Sequence, residues 1–298
     1  MTLPNNTLGQ STTYDIISQT FIAALTAKLT LLEKFTQDFS NDVATKGAGI
    51  VTRIPTVPSA STKTSTGSYS STAATLTDVS LTLSNLDYVQ FSLSAADMAK
   101  SMVNLEETFI QPFAFALAKT VQTNIFSAIT SSAFSNTVVI PASGFNVVNI
   151  IALEASCDTL NWGGEKVLLA PATYWQTTKQ DPYLLKGFKN DIKDQALEDG
   201  TIGKLEGFTC IRNNVIPTNG QNLAAFAVNK GGLIFASRPL PVQANAYGTQ
   251  RIVTLESGLP VLYSQYYDPN QGCQTFRWEV LYGWASGDGS RVYRVTSA

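Results

Sequence analysis

Apolar residues along this chain change their period several times, and each change marks an element. Ile16, Ile17, Phe21, Leu25, Leu29 and Leu32 recur at helical spacing, opposite Ser18, Gln19, Lys28 and Glu33. That face predicts a helix capped by Thr12 or Thr13 and running to about Phe35. Gly47 and Gly49 then break the chain, and a strand is predicted over Ile50–Ile54, bounded by Pro55 and Pro58. Val79, Leu81 and Leu83 alternate with Ser80, Thr82 and Ser84, and Val89, Phe91 and Leu93 alternate with Gln90 and Ser92. This is the period of half-buried strands. Leu105, Phe109, Phe113, Leu117, Val121 and Ile125 are then spaced four apart. Each step of four turns about 400°, so the series drifts and wraps roughly half the cylinder. A wrapped apolar surface predicts contacts on more than one side. Asn104 and Glu107 have the spacing of a reciprocal cap. Pro112 lacks an N–H, so a short turn is expected over 105–111 and a main helix from about Pro112 to Thr130.

The texture changes near Phe145. Val147–Leu160 reads as a helix, Lys166–Ala170 as a short buried strand, and Pro171 opens another helix through Thr178. Asp181-Pro182-Tyr183 marks a turn. Ile202–Val215 reads as two short strands around Gly207, Leu223–Val228 as a buried strand, and Gly231–Ala236 leads to the break at Pro239 and Pro241. The last segment is rich in strands: Arg251–Leu255, Leu262–Tyr267, Thr275–Tyr282 and Arg291–Val295. Ser286-Gly287-Asp288-Gly289, between the last two, predicts a hairpin. No internal repeat of fixed period is present.

Between the early strands lies an unusual tract. From Ser59 to Ser84, 15 of 26 residues are Ser or Thr, and Lys63 and Asp78 are the only charges. The stretch from Thr56 to Asp78 has too few apolar residues for a core of its own. Flanked by strands, it reads as an extended two-stranded arm that must lie on something else; a disordered linker is the alternative. The whole chain has 298 residues, enough for a sizeable core and more than one subdomain. Charged residues are only 14% and the net charge is −2, so many polar surfaces are uncharged Thr, Ser, Asn and Gln. That suits a protein packed against copies of itself. The first cation is Lys28, and no cluster of Lys or Arg exists to condense nucleic acid.

Met1–Gln10 is polar, without the apolar segment of a signal peptide, and no run approaches the roughly 20 apolar residues of a membrane span. Cys157, Cys210 and Cys273 are odd in number and lack metal spacing, so reduced, partly buried thiols made in a cytosol are expected. The chain has no histidine, which removes Ser–His–Asp and Cys–His catalysis and the commonest transition-metal sites. Gly200-x-x-Gly203-Lys204 is too short for a phosphate loop and has Leu205 where a hydroxyl is required. Asp288-Gly289 lacks the acidic series of a calcium loop. Glu106–Glu107 and Glu198–Asp199 are adjacent acids, which do not face each other on a helix. Trp162, Trp175, Trp278 and Trp284 are scattered and read as core or interface anchors. No catalytic, cofactor-binding or metal-binding residue is therefore assigned, and the chain is not expected to be an enzyme.

The order of parts resembles the major capsid proteins of tailed double-stranded DNA bacteriophages with the HK97 fold. The matching segments are Val43–Pro58 with its Gly47-to-Pro55 strand entry, Asp87–Ile129 with the long helix, Lys166–Tyr174, Gly203–Ile216 and Phe226–Pro241. In the last of these, Val228–Leu240 looks like a family hallmark. The motifs are degenerate, and the resemblance rests on their order and spacing over most of the chain.

That resemblance implies an α+β, HK97-like capsid fold. Its parts would be an N-terminal arm with helix (1–46), an extended β-hairpin loop (47–86), a peripheral domain with the spine helix (87–145), an axial domain (146–241) and a peripheral β-belt (242–298). The function implied is a structural subunit that self-assembles through hexamers and pentamers into an icosahedral shell around double-stranded DNA. The shell would be located in the virion and assembled in host cytoplasm. Encapsulin-like shells, tail-tube proteins and decoration proteins are the alternatives, and an enzyme is a more distant one. The extended loop would lie over a neighbouring subunit, making Lys63, Thr64, Tyr69, Phe109, Phe113 and Leu117 candidate inter-subunit contacts. Some members crosslink a loop lysine to a neighbour's asparagine, and Lys63 stands in the tip region. The sequence identifies no partner for it, and a solvated lysine is the simpler reading. Only about a dozen residues precede the first helix, so a separate scaffolding protein, or none, is expected. A portal protein and weakly, non-specifically contacted DNA complete the implied partners; no membrane and no cofactor are expected.

Overall fold

The computed structural model describes residues 10–34, 36–38, 49–55, 60–63, 65–69, 71, 75–94, 96, 100, 105–182, 203–242, 248–255 and 258–298. The chain begins with helix α1 (Gln10–Glu33), strand β1 (Thr36–Asp38) and the arm strands β2 (Gly49–Pro55) and β3 (Leu76–Thr82). Next come β4 (Asn85–Ser94), the long helix α2 (Leu105–Phe126), β5 (Thr137–Val139), α3 (Val147–Thr159), β6 (Lys166–Ala170) and α4 (Ala172–Lys179). The rest is strands: β7 (Lys204–Leu205), β8 (Phe208–Arg212), β9 (Leu223–Asn229), β10 (Leu233–Arg238), β11 (Thr249–Thr254), β12 (Pro260–Asp268), β13 (Cys273–Ser286) and β14 (Val292–Thr296).

The first sheet is organised around β13. It pairs antiparallel with β12 and β10 and, along Cys273–Tyr282, with β4. Leu281 and Tyr282 pair with both β10 and β4, so those strands lie on opposite edges of β13. β11 extends the sheet beyond β12, and β1 adds in parallel to β10. The alternation read in Val89, Phe91 and Leu93 turns these side chains inward, toward α1 and α2. Phe21 of α1 stacks on Trp278 with ring centroids 4.2 Å apart, and Phe91 meets Phe109 and Phe113 of α2. Phe21, Leu25, Leu29 and Leu32 are buried, so α1 belongs to the core even though it opens the chain. Helix α2 is sandwiched, as its wrapped pattern requires: α1 on one side, the sheet on another.

The second sheet runs β5-β14-β9-β6-β8-β7. β6 is buried at every position because both of its faces are covered. Val167 and Leu169 join Phe226 and Val228 against the core that holds α1 and α2. Leu168 and Ala170 join Ala225 and Ala227 under α3 and α4. Asn146 caps α3 by accepting from Asn149 N, and Asp181 accepts from Val147 N at 2.8 Å. A buried polar chain ties the two halves: Gln122 of α2 donates to Lys28 O of α1, and Asn213, beyond β8, donates to Gln122 Oε1.

Four expectations are corrected. Pro112 neither breaks nor restarts α2, which runs unbroken from Leu105. The donor it withholds would serve Thr108, which is exposed, so no buried group is left unsatisfied. The helix ends at Phe126 rather than Thr130, closing with tighter bonds from Ala128 N to Ile125 O and Ile129 N to Phe126 O. α1 already begins at Gln10, so Thr12 and Thr13 lie inside it. The hairpin expected around Ser286–Gly289 does not form: β13 and β14 belong to different sheets, and the segment is the crossing between them. β10 pairs in the first sheet and β14 in the second. The Asn104–Glu107 cap and the Glu198–Asp199 pair fall outside the described residues and side chains.

The crossing explains its glycines and its aspartate. Gly287 N donates to Gly232 O at 2.9 Å, and a Cβ on Gly287 would lie 2.1 Å from Gly231 O. Asp288 Oδ1 accepts from Ser290 N and Oγ, and Oδ2 accepts from Arg291 Nε. Burial raises the Asp288 carboxyl, but the bonds from Ser290 and Arg291 outweigh it and hold it below its ordinary value. A depressed folded value contributes stability above the unfolded pKa and loses it as pH falls through the folded one. Asp288→Ala is therefore expected to lose about 1 kcal/mol near neutral pH. The gap to the parent should close well below the ordinary aspartate value of about 3.9. Urea unfolding of both proteins across that range measures it; a gap that widens toward acid would refute the assignment.

Candidate assembly surfaces

The arm is built as its alternation dictates. β2 and β3 pair antiparallel from Gly49 opposite Thr82 to Pro55 opposite Leu76, a two-stranded ribbon apart from either larger sheet. The register puts Val51, Arg53 and Pro55 on one face with Ser80, Asp78 and Leu76. Arg53 and Asp78 form an ion pair at 3.2 Å, exposed and so worth under about 1 kcal/mol. Val51 and Leu76 are more than half exposed on the same face. Toward the tip, Lys63 Nζ sits 4.4 Å from the ring centroid of Tyr69, and Tyr69 is 86% exposed. An isolated two-stranded ribbon is marginal in water. Val51, Leu76 and the aromatic tip have no cover within this chain among the described residues.

The root of the arm is anchored. Leu81 is buried against Ile234 and Ala236 of β10. Gly283 of β13 meets the end of β3 so closely that a Cβ there would lie 2.1 Å from Thr82 O. Just beyond the two-residue turn into β4, Asp87 Oδ2 accepts from Tyr282 Oη and from Asn124 Nδ2, the latter at 3.0 Å. Asn124 Nδ2 also donates to Tyr282 Oη at 2.9 Å. Sequence reasoning missed this cluster. The one signal pointing to it was a lone glycine inside an apolar strand, the mark of close backbone approach.

The candidate contact residues separate under the structure. Lys63 and Tyr69 stand exposed on the arm, and Thr64 lies outside the described residues. Leu117 is 1% exposed and fills the chain's own core, so it is withdrawn as a contact. Phe109 and Phe113 are half-buried, with ring centroids 5.7 and 5.1 Å from that of Phe91. The helical period marked them as apolar but could not say which neighbour they meet. Exposed apolar side chains missed by the sequence reading include Leu86 and Tyr88 on β4, Phe115 on α2, and Val148 and Ile151 on α3.

Groups with chemical potential are engaged structurally. Burial pushes the Cys157 and Cys210 thiols up to about 12, far from a reactive thiolate. Lys166 bridges Glu154 and Asp158 of α3; burial pulls its amine down, but the bonds to the two carboxylates outweigh that and raise it. A cleft of about 890 Å³ opens between the end of α1, the Gly163–Glu165 loop and the β9–β10 turn. Its floor is Leu29, Leu32, Phe235 and Leu259. On its rim Lys34 pairs with Glu165, whose carboxyl is held low first by the Thr209 hydroxyl and then by Lys34. The Thr36 hydroxyl that lines it donates to Leu32 O. Among the described residues, no cluster of three metal-ligating side chains occurs and no helix is long and apolar enough to cross a membrane.

No family model and no curated protein matches the sequence. Solved structures do match its fold. The capsid of the cyanophage P-SCSP1u superposes with a TM-score of 0.65 at 10% identity, over 89% of this chain and 86% of that one. The capsid of an empty GTA particle gives 0.58 at 13% identity, over 92% and 90%. A chain of Mycobacterium phage Che8 gives 0.55 at 15% identity, over 88% and 89%. The fold is thus the HK97-type α+β capsid fold, aligned over nearly the whole length of both partners.

Proposed function

We propose that this chain is a major capsid protein: a structural, non-enzymatic subunit that closes with copies of itself into an icosahedral shell around double-stranded DNA. The observation that carries the reading is the arm, an exposed ribbon with Val51, Leu76 and Tyr69 uncovered, on a body that follows the fold of a cyanophage capsid over 89% of this chain. In this reading Lys63, Thr64, Tyr69, Val51 and Leu76 meet a neighbouring subunit. The two sheets serve as peripheral and axial parts, and the second gathers at five-fold and six-fold axes. Closed shells repeat near-equivalent contacts, so modest pairwise affinities multiply. A scaffolding protein, a portal and assembly in the host cytoplasm belong to the same proposal.

The charge pattern supports loose contact with DNA. Lys34, Arg53, Lys166, Arg277 and Arg291 each pair with an acid of their own chain. With a net charge of −2 for the chain, phosphate neutralisation contributes little to holding the genome in this reading. Negative-stain electron microscopy of the chain expressed alone, then with its neighbouring genes, tests the proposal. Closed shells, or rings of five and six, are expected. A monodisperse monomer under both conditions would refute it, and a shell loaded with enzyme or a tube would move the reading to another assembly.

A further inference from the structure

Resting on that reading, we infer that Asp87, Asn124 and Tyr282 form a joint that fixes the angle of the arm to the body, and thereby the diameter of the shell. The three residues come from three separate elements. Asp87 stands in the first turn of pairing of β4, Asn124 in the last turn of α2, and Tyr282 in β13. One carboxylate oxygen of Asp87 accepts from both of the others, and the third side of the triangle is closed by Asn124 and Tyr282. The Tyr282 ring is fully buried, lodged between Phe235 and Trp284, so its hydroxyl cannot swing away. Burial first, and then Asp87, raise the phenol well above its ordinary value, so it stays a donor at any pH the protein meets.

The joint sits where it has leverage. Only Leu83 and Ser84 separate β3 from β4, and Ser84 N folds back to Thr82 O at 3.1 Å. A rotation of β4 at Asp87 therefore passes directly into the arm. The seven residues of β3 span about 23 Å at roughly 3.3 Å each, so a tilt of about 10° moves the far end by about 4 Å. That displacement is as large as the separation at which apolar side chains lose contact. Contacts made at the far end of the arm would then meet the next subunit at a different angle. In a closed shell the angle between neighbours is the curvature. Gly283 and Leu81 clamp the ribbon's end in position, and the polar triangle decides how β4 and α2 present it.

Tyr282→Phe tests this with the least disturbance, because it removes the hydroxyl and keeps the buried ring. Asn124→Leu is the second variant. Thr123→Ala is the control, since it removes a hydroxyl that bonds only within α2. In the isolated subunit, backbone amides of residues 76–82 are expected to exchange about fivefold faster in Tyr282→Phe and Asn124→Leu. In assembled material the two variants should give shells of broadened or shifted diameter by electron microscopy, while Thr123→Ala matches the parent. Parental diameters and parental exchange in both joint variants overturn the inference. Should the parent form no shell under any condition, the capsid reading fails by itself. Exchange at 76–82 then still decides whether the joint holds the arm.

Discussion

Replacing Trp278 by alanine is expected to remove about 4 kcal/mol of unfolding free energy, the largest single loss in the molecule. The indole is fully buried at the point where the first sheet meets both helices. Phe21 stacks on it at 4.2 Å, Tyr263 lies at 5.3 Å and Phe91 at 5.7 Å, so alanine would open a cavity lined by three aromatic rings that cannot collapse together. Trp278→Phe should behave differently. The indole N–H has no hydrogen-bond partner among the described residues, so exchanging it for a smaller, fully apolar ring forfeits volume but no bond. A loss below about 1.5 kcal/mol is expected for that variant. Urea unfolding of the isolated subunit measures both. Equal losses would mean that the N–H is satisfied and that the ring's role is polar.

Excising residues 57–74 and closing β2 onto β3 with a four-residue turn should leave a folded subunit that no longer assembles. The two strands of the ribbon and the Leu81 anchor are kept. Among the described residues, none of those removed belongs to the buried apolar clusters. Shortening the connection from about twenty residues to four even favours folding by roughly 1 kcal/mol of closure entropy. Circular dichroism and thermal unfolding should match or slightly exceed the parent, while shells disappear from micrographs. Normal shells from the excised chain would show that the arm tip is dispensable and would shift the contact to exposed Val148 and Ile151 of α3 or to Leu86 and Tyr88 of β4.

Local periodicity carried far in this chain because most elements bury one well-defined face. The helix holding Phe21, Leu25 and Leu29, the short buried strand Lys166–Ala170, and the alternating Val89–Leu93 were legible from the sequence. The arm was legible for the opposite reason: its composition cannot make a core. What the sequence hid was pairing at long range. Gly287-Asp288-Gly289 has the chemistry of a tight hairpin, yet Gly287 serves a close crossing against Gly231 and Gly232. Nothing local distinguishes a turn that returns a strand to its neighbour from one that hands it to another sheet. Pro112 misled because tertiary packing of the helix between α1 and the sheet outweighs the local cost of a withheld donor and a crowded carbonyl. Leu117 misled because a wrapped apolar helix announces two contacts without saying that both lie within one chain.

The position of β13 also constrains how the subunit comes into being. The strand that organises the first sheet lies at residues 273–286, and the one that sits between β5 and β9 at 292–296. A growing polypeptide on the ribosome holds α1, the arm, β4 and α2 long before their common partner is made. Domains generally complete folding as units, and pairings distant in sequence form late. The body therefore closes only once both of these strands have been made. A chain that stops short of β13 presents the arm without the floor that aims it, so in the assembly reading proposed above only chains carrying both strands can take part.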